Sequence, residues 1–136
     1  MLAPAMTGQT LKTLLDDGIV WDNHACMPLR ADDRVFLPQL ERVHSAGVDV
    51  VTLNVAYSRH DSRFALTMLA SFHAWLQAHP DRYTLVARTD DIEVAKASGR
   101  LGVCFDIEGM DALDGDLRNV RTFYDKGVRW MLVAYN

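Results

Sequence analysis

Apolar runs of four to eight residues alternate along the chain with longer stretches in which apolar residues recur at helical spacing. That is the pattern of βα units built around a parallel sheet. Five runs predict strands: Ile19 to Asp22, Asp49 to Val55, Tyr83 to Ala87, Leu101 to Ile107 and Val128 to Ala134. Several are apolar nearly throughout, as strands covered on both faces are. Between them, Asp33 to Ala46 carries Val35, Phe36, Leu40 and Val43 on one helical stripe and ends at Gly47. Ser62 to Ala78 repeats the pattern with Phe64, Leu66, Met68, Leu69, Phe72, Trp75 and Leu76, and Pro80 follows it. A short helix is predicted from Asp91 to Ala97, and another from Leu117 to Lys126, with Leu117, Val120, Phe123 and Tyr124 facing inward and Gly127 as its stop. The series is β(αβ)₄ without a linker or low-complexity segment, so residues 1–136 read as one α/β domain.

Composition narrows the field. The 136 residues are 49% hydrophobic and 24% charged, with a net charge of −4, an ordinary globular balance able to bury a core. No basic cluster marks a nucleic-acid surface. No run approaches the roughly 18 or more apolar residues of a membrane span, and the N-terminus lacks a charged segment followed by an apolar one. The expectation is a soluble, cytoplasmic protein without nucleic-acid or membrane partners. Two cysteines, Cys26 and Cys104, make no disulfide scaffold and suit a reducing compartment.

In parallel α/β sheets, open or closed, ligands bind beyond the carboxyl ends of the strands. The polar residues there are Asp22-Asn23-His24-Ala25-Cys26, Asn54 with Tyr57 to His60, Asp106-Ile107-Glu108-Gly109, and Tyr135-Asn136. His24 and Cys26 lie two apart, so in an extended segment both side chains point to one side: either a packed pair, or two ligands of one metal, for which zinc accepts both nitrogen and sulfur. Glu108 ends an apolar strand, where a carboxylate needs a cation, a donor or water. Its bland reading is a strand-end carboxylate that reaches solvent or caps the next segment. Cys104 reads as core filler alternating away from the ligand direction. His60 and Asp61 stand where they could cap the long helix, whereas His44, His73 and His79 fall on helices away from the strand ends. Arg59, Arg63 and Arg82 read as solvated charges, Arg59 with some prospect of reaching a substrate carboxylate. Gly-rich phosphate loops, a Gly-x-Ser-x-Gly elbow and a His-Glu-x-x-His helix are all missing, which leaves metal-dependent barrel hydrolases standing.

The stretch Gly99 to Asn136, GRLGVCFDIEGMDALDGDLRNVRTFYDKGVRWMLVAYN, resembles the renal, or membrane, dipeptidase family of zinc metallopeptidases. It matches the family's Ile-Glu-Gly strand, Leu-Arg-x-Phe-Tyr helix and Gly-Val-Arg strand ending in Asn. Upstream, WDNHACMPL is similar to the family's Asp-x-His-x-Asp-x-x-Pro motif and AGVDVVTLNVAY to its second-strand region. By this resemblance His24 is the first metal-binding histidine, and Glu108 is the catalytic carboxylate that bridges two zinc ions. Cys26 takes the place of the family's aspartate as a metal ligand. Tyr135 stands where many members have histidine, before Asn136, which matches the asparagine that contacts the substrate.

The resemblance implies zinc-dependent hydrolysis of dipeptides through a water bridging one or two ions. It also implies a TIM-type (β/α)₈ barrel, typically about 250 residues, of which this chain would supply the N-terminal five strands and four helices. The family's later histidine ligands, substrate-binding arginine and acid/base aspartate come from strands beyond these. The expectation is therefore an incomplete barrel over residues 1–136, a fragment or truncated gene with impaired turnover on its own and an incomplete second metal site. The alternatives are a non-catalytic binding or assembly unit whose open sheet edge pairs with a second copy or a complementing chain, and a self-standing open sheet. A metal-dependent hydrolase of another barrel family is a third functional option.

Overall fold

The structure, a computed structural model, describes residues 8–32 and 35–134. Helix α1 (Gly8–Asp17) precedes β1 (Trp21–Ala25), and a 3-10 turn at Leu37–Gln39 leads into α2 (Leu40–Ser45). Then follow β2 (Val50–Tyr57), α3 (Ser62–Ala78), β3 (Tyr83–Leu85), α4 (Thr89–Ala97), β4 (Leu101–Glu108), α5 (Arg118–Asp125) and β5 (Val128–Leu132). All five expected strands form. The helix expected over Asp33 to Ala46 shrinks to the 3-10 turn and α2, because Pro38 lacks an N–H and fits only a first turn. Helix α1 lay outside the predicted elements.

Local chemistry sets the helix starts. Asp61 accepts a hydrogen bond from the Phe64 N–H at 2.8 Å and so caps α3. Asp91 accepts from the N–H groups of Ala87 and Arg88 at 2.8 and 2.9 Å, fixing the entry to α4.

The strands are parallel and run in the order β1-β2-β4, and beyond β4 the same edge is shared. Strand β3 pairs with Leu101 to Val103, while β5 pairs with Phe105 to Glu108. The carboxyl ends that matter for chemistry therefore belong to a line β1-β2-β4-β5, with β3 set against the amino-terminal part of β4.

Each face has its own core. Val51, Leu53, Val55, Val103, Phe105 and Ile107 point to the helices and pack with Met68, Leu69 and Phe72 of α3. On the other face Val50 and Cys104 pack with Val86, and Trp21, Ile92 and Trp130 lie against them. Cys104 is fully buried, as expected of core filler. Its direction is corrected: positions 104, 106 and 108 share one face through the two-residue period of the strand, so Cys104 lies on the ligand side, deeper than the site. Gly102 belongs to the same row, and a Cβ there would come within 2.9 Å of the Val86 side chain. Its bare backbone lets the segment leading into α4 close under this face. Lys96 of α4 fastens the closure with hydrogen bonds to both Asp49 carboxylate oxygens at 2.9 and 3.0 Å.

Three ladders lose register within a few rungs of one another. The shifts fall between Asp22 and Ala25 in β1, between Asn54 and Tyr57 in β2, and between Phe105 and Asp106 opposite β5. Each inserts one extra residue, near the carboxyl end in β1 and β2 and near the amino end in β5, and bulges of this kind re-aim side chains next to sites. In β5 the extra residue is Arg129: Val128 pairs with Phe105 and faces the helices, while Trp130 pairs with Asp106 and faces the other way. No helix among the described residues is long and apolar enough to cross a membrane.

Candidate functional site

His24 leaves the end of β1 and reaches across β2 to β4. Its Nδ1 lies 2.6 Å from Asp106 Oδ2, and its Nε2 lies 3.5 Å from Glu108 Oε1 and 3.6 Å from Cys26 Sγ. The two residues that extended geometry placed on one side of the chain do converge, and Glu108 joins them from β4. The side chains are graded in exposure: 39% for His24, 21% for Glu108 and 3% for Asp106. Asp106 also accepts a hydrogen bond from Trp130 Nε1 at 3.2 Å. Its Oδ1, like that of Asn54 opposite it on the same rung of β2, is buried without a hydrogen-bond partner.

Charge in this corner is negative. The Asp106 carboxylate bonded to it holds the His24 imidazole above its ordinary value, against a smaller opposing effect of burial. Burial pushes the Asp106 carboxyl up, against the pull of the same His24 contact. The Cys26 thiol is raised first by burial and then by the Glu108, Asp106 and Asp22 carboxylates. These surroundings disfavour the thiolate, and a cation in the corner would favour it. Among the described residues no group of three or more His, Cys, Asp or Glu side chains is already arranged to hold a metal ion. The set is one nitrogen facing one carboxylate and one sulfur.

The two thiols differ sharply in reach. Cys26 is exposed, whereas Cys104 is buried, bonded to Thr52 Oγ1 at 3.1 Å and pushed up to about 11 by that burial. Alkylation of the folded protein by iodoacetamide is expected to modify Cys26 and leave Cys104 unreacted until denaturant is added. Peptide mapping that finds equal labelling of both would contradict this packing.

Other polar residues at the strand ends serve structure. Tyr57 N–H donates to His60 Nδ1 at 3.2 Å, and the His60 ring stacks on Phe64 with centroids 3.8 Å apart, so His60 braces the start of α3. Arg59 is exposed, His73 bonds the Lys126 carbonyl at 2.8 Å, and His79 bonds the Trp75 carbonyl at 2.9 Å. Tyr135 and Asn136 lie outside the described residues. Beyond Glu108, Gly109 turns with a φ of +91°, open to a residue without a Cβ, while its N–H bonds the Leu132 carbonyl at 2.9 Å. That turn borders a polar cleft of about 540 Å³ lined by Ser58, Met110, Asp111 and Asp114. The cleft adjoins the His24 cluster without containing it.

Sequence reasoning gave no role to Asp106 or Trp130. The signal for the first was present: a single carboxylate inside an otherwise apolar strand, which must find donors to be tolerated. The second was hidden by the bulge.

A family model described as membrane dipeptidase matches residues 10–136. No curated protein matches the chain. Among solved structures, an amidohydrolase from Pseudomonas aeruginosa superposes with a TM-score of 0.78 at 20% identity, over 92% of this chain and 36% of that one. A probable dipeptidase, PvdM, from the same organism gives 0.74 at 13% identity, over 93% of this chain and 37% of its own. A metallo peptidase from Rhodobacter sphaeroides, liganded with a phosphinate mimic of the dipeptide L-Ala-D-Ala, gives 0.66 at 15% identity, over 83% and 44%. At these identities the likeness is one of fold, and the chain spans well under half the length of each structure.

Proposed function

Because the chain belongs to the membrane dipeptidase family, we propose that it carries the N-terminal part of a zinc-dependent dipeptidase site, with His24, Cys26 and Glu108 as metal ligands and the peptide bond of a dipeptide as the target. The observation that carries this reading is the meeting of His24 Nε2 with Glu108 Oε1 at 3.5 Å and Cys26 Sγ at 3.6 Å. The nitrogen–oxygen separation is too long for a good hydrogen bond, and the sulfur contact is a weak one. With zinc bonds of about 2.0–2.3 Å, two ligands of one tetrahedral ion stand roughly 3.3–3.6 Å apart. The donor types suit zinc, and these two separations match neighbours on a shared ion, which is the support for this reading.

Lewis acidity toward the scissile carbonyl, and water acidic enough to attack it at neutral pH, are what a bound zinc would supply. The chain's own residues do the rest. Glu108 would hold the ion through its carboxylate, the role its resemblance implies. Cys26 would contribute one negative charge on binding zinc, as the aspartate it replaces would, but through a softer donor. The cleft beside Gly109, about 540 Å³, falls in the roughly 300–1,000 Å³ range of small-molecule sites and offers room for a dipeptide. The dipeptide mimic in the Rhodobacter sphaeroides structure supports that substrate class.

Metal analysis of the purified protein tests the site. Zinc is expected in the unaltered chain and less of it in Cys26→Ala, and a folded sample with zinc in neither form overturns the assignment. Since the chain spans 36–44% of the solved structures it superposes on, dipeptide turnover by the 136 residues alone is expected to be weak or nil. EDTA-sensitive hydrolysis of a dipeptide panel by this chain would contradict that.

A second reading, an assembly role through the sheet edge, is favoured by Leu132 at 52% and Leu117 at 79% exposure, on β5 and beside α5. It predicts self-association, and a clean monomer by light scattering counts against it.

A further inference from the structure

We propose that Asp106 is the positioning residue of this site: it holds the His24 imidazole with its proton on Nδ1, so that Nε2 faces Glu108 and Cys26 as a bare lone pair. The purpose of this device rests on the zinc reading above, while the geometry behind it stands apart from that reading.

Asp106 and Glu108 lie two apart on β4 and share a face, yet their settings differ. Glu108 ends the strand and is partly open, whereas only 3% of the Asp106 side chain is exposed. A carboxylate so enclosed is tolerated only where donors surround it. Two ring N–H groups do so at one oxygen: His24 Nδ1 at 2.6 Å, reaching from β1 across β2, and Trp130 Nε1 at 3.2 Å, arriving from β5 beyond the bulge.

An ionised carboxylate has no hydrogen to give, so the proton in the 2.6 Å contact belongs to the histidine. A neutral imidazole carries one N–H, and which nitrogen bears it follows from the hydrogen bond the other atom makes. The opposite tautomer sets a lone pair against Asp106 Oδ2 at 2.6 Å and aims Nε2–H at Glu108 across 3.5 Å, losing a short bond for a poor one. A ligand histidine backed by a carboxylate is fixed in orientation and made a better donor, and loss of such a partner lowers metal affinity about 10–100-fold.

Long-range ¹⁵N–¹H correlation on the metal-free, unaltered protein at alkaline pH, where the ring is neutral, reads the tautomer directly. Nδ1–H on His24 is expected, and Nε2–H overturns the proposal. In Asp106→Ala the Nδ1–H preference is expected to vanish and zinc affinity, measured by competition with a chelating dye, to fall about 10–100-fold. A folded Asp106→Ala protein with the same tautomer and the same affinity overturns it, because a merely structural carboxylate leaves both untouched. If that variant does not fold, Asp106→Asn keeps the shape without the charge; a several-fold loss of affinity is then expected, and no loss overturns the proposal. Nδ1–H in a protein that binds no zinc upholds the positioning and overturns the metal reading alone.

Discussion

Alanine in place of His24 is expected to weaken zinc binding by more than about 100-fold, beyond the 10–100-fold that loss of a supporting partner brings. His24 Nε2 is the atom on which both other donors converge, at 3.5 and 3.6 Å. Without it Glu108 and Cys26 lose the contact they share, and the remaining carboxylate and thiol sit among carboxylates that disfavour the thiolate. Glu108→Gln is expected to act in the same direction, since an amide oxygen is a far weaker zinc ligand than a carboxylate. Competition with a chelating dye measures both. Affinity within about threefold of the unaltered protein, in a His24→Ala sample whose circular dichroism is unchanged, would remove His24 from the site. The substitution also takes the shortest donor from the enclosed Asp106 carboxylate, so a stability loss of about 1–3 kcal/mol is expected beside the metal effect, and the circular dichroism check keeps the two apart.

Phe105→Ala works on the opposite face and is expected to cost about 3–5 kcal/mol, a large part of the roughly 5–15 kcal/mol that holds a domain together. Phe105 is fully buried in the middle of β4. Its ring stacks on Phe72 at 6.0 Å between centroids, meets the edge of His73 at 5.3 Å, and lies against Gly127 so closely that a Cβ there would stand 3.3 Å from it. The truncation thus opens a cavity where α3, β4 and the turn into β5 come together. Urea unfolding reads the loss. Val94→Ala, on the exposed side of α4, is the matched control and is expected to stay within about 0.5 kcal/mol. A Phe105→Ala midpoint equal to that of the control would mean that this junction contributes little.

The two faces of the sheet explain what could be read from residues alone. The outer face is legible because Val51, Leu53, Val55, Val103, Phe105 and Ile107 keep strict alternation against helices whose own stripes are plain. The order of strands and helices follows from it, and Ser62–Ala78 is bounded as its pattern predicts, by Asp61 at the start and Pro80 beyond the end. His24, Cys26 and Glu108 were legible as candidates because polar residues stand out at the ends of apolar strands. What escaped was anything that depends on counting through a bulge or on pairing across the sheet. Strand β3 is followed in sequence by β4 but occupies only its first three rungs, a placement no local pattern encodes. Asp106 looked like part of a polar strand end, and only the meeting of β1 with β4 across β2 reveals that His24 needs it. Trp130 shares parity with Val128 in the sequence, whereas the extra residue between them sends the two side chains to opposite faces.

That extra residue has an occupation of its own. Arg129 donates from Nε to the Ala87 carbonyl at 2.8 Å, from Nη1 to the Tyr124 and Val128 carbonyls at 2.8 Å, and lies 4.3 Å above the Tyr124 ring. Being supernumerary in the ladder, it belongs to neither the helix-facing row nor the ligand-facing row. It works as a rivet between the entry to α4 and the exit of α5, so that two segments of the shell are pinned together without taking a place in either core.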